Sequence, residues 1–147
     1  MSKRTLGIDY GKARLGIALS DPRKIIASPL ENVKAAKTLE MTAQAVYERI
    51  QKLEGEGKNI DEIVVGKPIK MNGTMGVVGE EIERFVQYLE EKTALSIVLW
   101  DERLTTVQAE RSMREDGCNR KRRAKSIDSV AAVIILQSYI DSLGNTF

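Results

Sequence analysis

Thr5-Leu6-Gly7-Ile8-Asp9-Tyr10-Gly11-Lys12-Ala13-Arg14-Leu15-Gly16-Ile17-Ala18-Leu19-Ser20 opens the chain and decides how the rest must be arranged. Residues 5–9 read as a short strand. Residues 10–13, with Gly11 among them, read as a turn. Arg14 to Ser20, where Leu15, Ile17 and Leu19 alternate with Gly16 and Ala18, reads as a returning strand. Asp21-Pro22 signals another turn, and Ile25 to Val33 reads as a third strand, although Pro29 interrupts it. These segments predict an antiparallel meander.

After the meander the hydrophobic period changes. Leu39, Ala43, Val46, Ile50 and Leu53 recur at spacings of four, three, four and three, an amphipathic helix that stops near Gly55 and Gly57. Ile63-Val64-Val65-Gly66 is a short, wholly apolar strand of the buried parallel kind. A loop from Lys67 to Gly76 follows, then a helical stripe of Val78, Ile82, Phe85 and Leu89, and a second buried-type strand from Leu95 to Trp100. Thr105 and Gln108 have capping-box spacing for a helix ending near Gly117. Ser126 to Leu143 closes the chain as a helix whose run from Val130 to Leu136 is apolar enough to be buried on most sides.

The order βββαβαβαα predicts an α/β fold in a single domain, residues 1–147, with helices on both faces of a five-stranded mixed sheet. Right-handed crossovers place the fourth strand beside the first, giving the strand order 3-2-1-4-5. The ends of strands one, four and five then converge on one crevice, where α/β sheets place their chemistry.

Composition narrows that chemistry. The chain has 147 residues, no His and one Cys, Cys118. The missing His excludes Ser-His-Asp and Cys-His mechanisms, His-ligated zinc and His general bases. A resident metal must therefore take oxygen ligands, which points to Mg²⁺ or Mn²⁺. A lone Cys excludes an internal disulfide and fits a reducing cytoplasm. No apolar run is long enough for a bilayer, and the N-terminus enters a strand directly, so neither a membrane nor a leader is expected.

Three acids sit where the crevice is predicted. Asp9 ends the first strand; the bland alternative is a turn-capping Asp. Asp101 and Glu102 follow the last strand, and adjacent residues on an extended backbone diverge, so one of them faces the crevice. Asp128 lies in the first turn of the last helix, where the alternative is an interaction with the helix dipole. On that helix Ile127, Val130, Ala131 and Ile134 form one apolar stripe, and Asp128, Ala132 and Ile135 its neighbour. Carboxylates gathered this way repel one another unless a cation neutralises them. Two divalent ions roughly 3.5–4 Å apart activate water and stabilise a leaving phosphate oxygen.

Charge distribution supports a polyanionic partner. Residues 111–125 hold seven basic side chains against Glu115 and Asp116, a local +5. The whole chain carries +2, so the remainder carries −3. Within this stretch Arg120, Lys121, Arg122, Arg123 and Lys125 read as contacts to a phosphate backbone, without aromatics for base stacking. Lys67, Lys70 and Asn72, in the loop before a helix, can present donors to phosphate, or simply form a turn and cap. Arg14 and Arg103 flank the acids, either orienting a phosphate or serving as ion-pair partners.

These motifs resemble one family. Gly7-Ile8-Asp9-Tyr10-Gly11 with Arg14-Leu15-Gly16-Ile17-Ala18 is similar to the opening signature of the bacterial YqgF family, which comprises pre-16S rRNA nucleases or Holliday-junction-resolvase-like proteins. So are Val65-Gly66-Lys67-Pro68, Met71-Asn72-Gly73-Thr74, Trp100-Asp101-Glu102-Arg103-Leu104-Thr105-Thr106, and Lys125-Ser126-Ile127-Asp128 with residues 131–137. The resemblance implies an RNase H-like nuclease with Asp9, Glu102 and Asp128 as its metal-binding acids. Glu102 is preferred over Asp101 because related resolvases carry a Glu there; those resolvases commonly use four acids, and either Asp101 is the fourth or the second metal is held only by substrate. The resemblance also implies trimming of the 5′ end of precursor ribosomal RNA. The expected partner is structured RNA, with branched DNA as the alternative, and the expected working form is a monomer or weak homodimer. Lys67 departs from the apolar residue expected at its position. Two rival readings are an ATP-handling protein of the actin and sugar-kinase group, whose first hairpin begins similarly, and a non-catalytic nucleic-acid-binding or assembly factor on the same fold.

Overall fold

A computed structural model describes residues 3–68, 76–102 and 127–144; for residues 76–77 and 127–129 the backbone alone is described. The strands are β1 (Arg4–Asp9), β2 (Arg14–Ser20), β3 (Ala27–Lys34), β4 (Ile60–Lys67) and β5 (Ser96–Asp101). The helices are α1 (Leu39–Gly55), α2 (Gly76–Lys92) and α3 (Ile127–Ser142). The sheet order is β3-β2-β1-β4-β5, as the crossover argument requires. β1–β2 and β2–β3 pair antiparallel, while β1–β4 and β4–β5 pair parallel. The helix expected between Thr105 and Gly117 lies outside the described residues.

The two faces of the sheet have different partners. Leu6, Ile8, Leu15, Ile17, Ile63 and Val65 point one way, into a core with Ala43, Val46 and Ile50 of α1 and Ile82, Phe85 and Leu89 of α2. Ala18 and Val64 point the other way, onto Ala131, Ala132, Ile135, Leu136 and Ile140 of α3. Local signals set the helix ends. Thr38 caps α1 by accepting a hydrogen bond from the Met41 N–H at 3.1 Å. Gly57, at φ 88°, turns the chain out of that helix.

Four expectations need correction. Val78 does not join the buried stripe of α2; it is exposed, and Val86 is buried in its place. Glu81 is level with Tyr10, just past the end of β1, so the first turn of α2 overhangs the strand ends. Lys67 belongs to β4, not to the loop. β5 is half-buried because, among the described residues, it pairs on one side only. The α3 run is not enclosed: Val130 is exposed and Val133 and Ile134 are partly so. The sheet covers one face, and the Ala132–Ile135 stripe, not Val130–Ile134, lies against it.

Polar contacts fix α3 at its far end. The Tyr139 hydroxyl donates to Glu62 Oε2 at 2.6 Å, and Thr5 Oγ1 donates to the other oxygen of that carboxylate. Gln137 brackets the entry to β3, donating to Ile25 O and accepting from Ala27 N–H at 2.8 and 2.9 Å. The Trp100 indole N–H donates to Ser138 Oγ. Among the described residues no helix is long and apolar enough to cross a membrane.

Candidate active site

Strand alternation determines which way each acid points. Ile8 faces α1 and α2, so Gly7 and Asp9 face α3. A Cβ on Gly7 would stand 2.7 Å from Leu136 Cβ, which confirms the side. Asp9 is the last residue of β1 and only 3% exposed, a carboxylate held at the rim of the core.

Glu102 reaches the same place from β5. Trp100, two residues earlier, contacts α3 through Tyr139 and Ser138. Glu102 is fully buried, and its Oε1 lies 2.7 Å from the point a Cβ on Gly66 would occupy. The β1–β4 register pairs Ile8 with Val65. One step further sets Asp9 beside Gly66, across neighbouring strands about 4.8 Å apart. Both residues therefore stand at one rung of the sheet, on its α3 side. Asp101, opposite Lys67 in register, is partly exposed and points away from that rung. Of the two adjacent acids, Glu102 is the one turned in.

The backbone of α3 brings Asp128 to the same end. Tyr139 lies over Glu62 near the start of β4, whereas Ala132 and Leu136 lie over Gly7. The helix therefore runs antiparallel to β1, and its N-terminus passes the ends of β1 and β4. Asp128 is one turn before Ala132, an advance of about 6 Å. Asp9 is two residues beyond Gly7, an advance of about 6.6 Å. The two positions come level, although for Asp128 the description is of backbone alone. Among the described side chains no group of three or more metal-ligating residues occurs.

The remaining sequence candidates divide. Arg14, exposed at the start of β2, stands at the same end of the sheet, opposite Lys34 in register. Lys67 ends β4, half-buried. Lys70, Asn72, Arg103, Arg120, Lys121, Arg122, Arg123 and Lys125 lie outside the described residues.

Two contributors were not singled out from the sequence. Gly66 is the seat over which Glu102 leans; a Gly closing an otherwise apolar strand is the signal that would have found it. Tyr10, immediately after Asp9, turns to the opposite face, packing on Phe85 with ring centroids 5.4 Å apart. Its hydroxyl donates to Glu81 at 3.4 Å. Burial, then the Glu81 carboxylate, raises the phenol above its ordinary pKa, so Tyr10 stays a neutral donor.

Comparisons with known proteins agree with this architecture. The family model described as "RuvX: Holliday junction resolvase" matches residues 3–142. A protein of Protochlamydia amoebophila named "Putative pre-16S rRNA nuclease" is 51% identical over 140 residues, covering 95% of this chain and 93% of that one. A Bacillus cytotoxicus protein of the same name is 41% identical over 139 residues, covering 95% and 98%. Among solved structures, Thermus thermophilus RuvC in complex with a Holliday junction superimposes with a TM-score of 0.57 at 13% identity, covering 97% and 96%. That likeness establishes the RNase H-like fold. With the family model spanning nearly the whole chain and relatives of this identity at full length, the protein belongs to the RuvX (YqgF) family.

Proposed function

We propose that this protein is a metal-dependent nuclease that hydrolyses phosphodiester bonds in structured nucleic acid, with the 5′ region of precursor 16S rRNA as its substrate. Asp9, Glu102 and Asp128 are the catalytic acids. The observation that supports the reading is that two buried acids, Asp9 and Glu102, stand at one rung of the sheet, Glu102 beside Gly66. Two carboxylates brought to one level repel each other, and a cation bound between them offsets that repulsion. An all-oxygen donor set suits a hard divalent cation, so these three residues would hold Mg²⁺ or Mn²⁺. When bound, such ions activate water and stabilise the leaving oxygen.

The chain's own residues do the rest. Asp9 is held at the end of β1, and Glu102 is fully buried beside Gly66, so the acids present their oxygens with little reorganisation. Arg14 and Lys67, at the same edge, together with Lys70, Asn72 and Arg103, steady the phosphates beside the scissile bond. Arg120, Lys121, Arg122, Arg123 and Lys125 hold the backbone further along. We take the chain to act in the cytoplasm as one domain, monomeric or weakly dimeric.

The family's description favours a second substrate, the branched DNA of a Holliday junction. One experiment tests both: cleavage of a precursor-rRNA fragment and of a four-way DNA junction, with Mg²⁺, with Mn²⁺ and with chelator. Metal-dependent cutting of the RNA is expected. Preferential cutting of the junction would transfer the role to DNA, and failure to cut either would overturn the nuclease reading.

A further inference from the structure

On the other face of the same sheet edge lies a cavity of about 260 Å³. Tyr10 and Thr42 form part of its wall. Lys12 from the β1–β2 turn, Lys37 from the segment before α1, and Arg84 from α2 bring three positive charges to it. Glu81 also lines it and already accepts from the Tyr10 hydroxyl, so the lining carries a net charge of +2. Among the described residues Lys12, Lys37 and Arg84 have no ion-pair partner within 4 Å. Three separate elements converge their cations on one hollow, where dispersing them into solvent would reduce repulsion. Such an arrangement is suited to an anion. The hollow is smaller than the roughly 300–1,000 Å³ that encloses a whole small molecule, so it fits a group rather than a free ligand.

Its position relates it to the acids. Asp9 and Tyr10 are consecutive, one turned toward α3 and the other toward α2. The cavity therefore lies around the end of β1 from the carboxylates, within the path of a strand crossing that edge. We propose that Lys12, Lys37 and Arg84 form a phosphate-binding subsite for the nucleic-acid strand being cut, a second anchor in addition to the basic segment of residues 120–125. This rests on the nuclease reading for its ligand but on separate residues for its test.

The test is fluorescence anisotropy with a 3′-labelled RNA hairpin bearing a single-stranded 5′ extension, in chelator so that nothing is cut. Wild type, Lys12→Ala/Lys37→Ala/Arg84→Ala, and a control Arg23→Ala/Lys58→Ala/Lys92→Ala are compared across a salt series. The control removes the same charge at the opposite end of the sheet. Loss of one phosphate contact is expected to raise Kd roughly 10-fold and flatten the log Kd–log salt slope by about 0.7–0.9 in the subsite variant, with the control near wild type. Preparing the hairpin with a 5′-phosphate or a 5′-hydroxyl separates the two sources of the phosphate. A wild-type preference for the 5′-phosphate that vanishes in the variant assigns a terminal group, and equal loss on both assigns an internal one. An unchanged Kd and slope, or an equal loss in the control, overturns the subsite. Wild type that binds but never cuts in metal overturns the catalytic reading and leaves the subsite standing.

Discussion

Glu102 occupies space that exists because residue 66 has no side chain: its Oε1 lies 2.7 Å from where a Gly66 Cβ would project, with Ile135 pressing on the same point. Gly66→Ala is therefore expected to displace the carboxylate or push α3 outward. Overpacking of this kind costs about 1–3 kcal/mol, and a shift of about 1 Å in a catalytic group can cost roughly 100-fold in rate. Cleavage should fall by about that factor while far-UV circular dichroism stays native. A Gly66→Ala protein with wild-type cleavage would mean that Glu102 does not act from this position.

Asp9→Asn keeps the volume of a buried side chain and removes its charge. Metal-dependent cleavage should fall by at least about 100-fold, the scale of losing one preorganised charged group. A second readout separates metal binding from folding. Wild type should gain thermal stability with Mn²⁺, by about 2.7 kcal/mol at 100-fold excess over Kd, and Asp9→Asn should gain little. Equal stabilisation of both proteins by Mn²⁺ would remove Asp9 from the ligand set.

How far the sequence carried depends on where each signal resides. The β1–β2 hairpin and the α1 stripe were legible because their periodicity is local, and the crossover rule then placed β4 beside β1 without any contact information. That only one of Asp101 and Glu102 faces the crevice was legible because neighbouring strand residues diverge; which of the two it is was not, and Glu102 was preferred only on the family resemblance. The orientation of α3 was not legible. Ile127 to Leu136 is apolar nearly all round, so the sequence offers no contrast between faces. The choice falls to Gly7 and Gly66, more than sixty residues away in sequence, whose missing side chains let Ala132, Ile135 and Leu136 approach. Val78 failed for a related reason: periodicity gives the face of a helix but not how far the helix extends past the sheet. The cavity beside Tyr10 was invisible because its three cations come from segments that are each unremarkable alone.

Tyr139 ties α3 to β4 through Glu62, and this contact predicts an alkaline limit to stability. Burial, followed by the Glu62 hydrogen bond and charge, pushes the phenol up to about 12 from an ordinary 10.0. A folded-state pKa above the unfolded value means that the folded protein holds the proton more tightly. The contribution is thus fully present below pH 10 and is lost as pH rises through about 12. Tyr139→Phe should lose about 1.5–3 kcal/mol at pH 8, the scale of a hydrogen bond to a charged group. Between pH 10 and 12 its stability should fall less steeply than that of wild type. Urea midpoints across this range give the comparison, and parallel curves would exclude Tyr139 as the titrating group.

Arg122→Ala/Arg123→Ala tests the basic segment independently of the catalytic acids. If both side chains contact phosphates, affinity for structured RNA should weaken and the salt slope should flatten by about 0.9 per contact on duplex, or about 0.7 on single strand. Combining this pair with Lys12→Ala/Lys37→Ala/Arg84→Ala makes the result more informative. Two anchors that hold different phosphates of one strand, without shared partners, lose binding energy additively to within about 0.5 kcal/mol. Substantial non-additivity would mean that the two sets compete for one phosphate, and an unaltered slope in the arginine pair would reduce residues 120–125 to a solvated charge run.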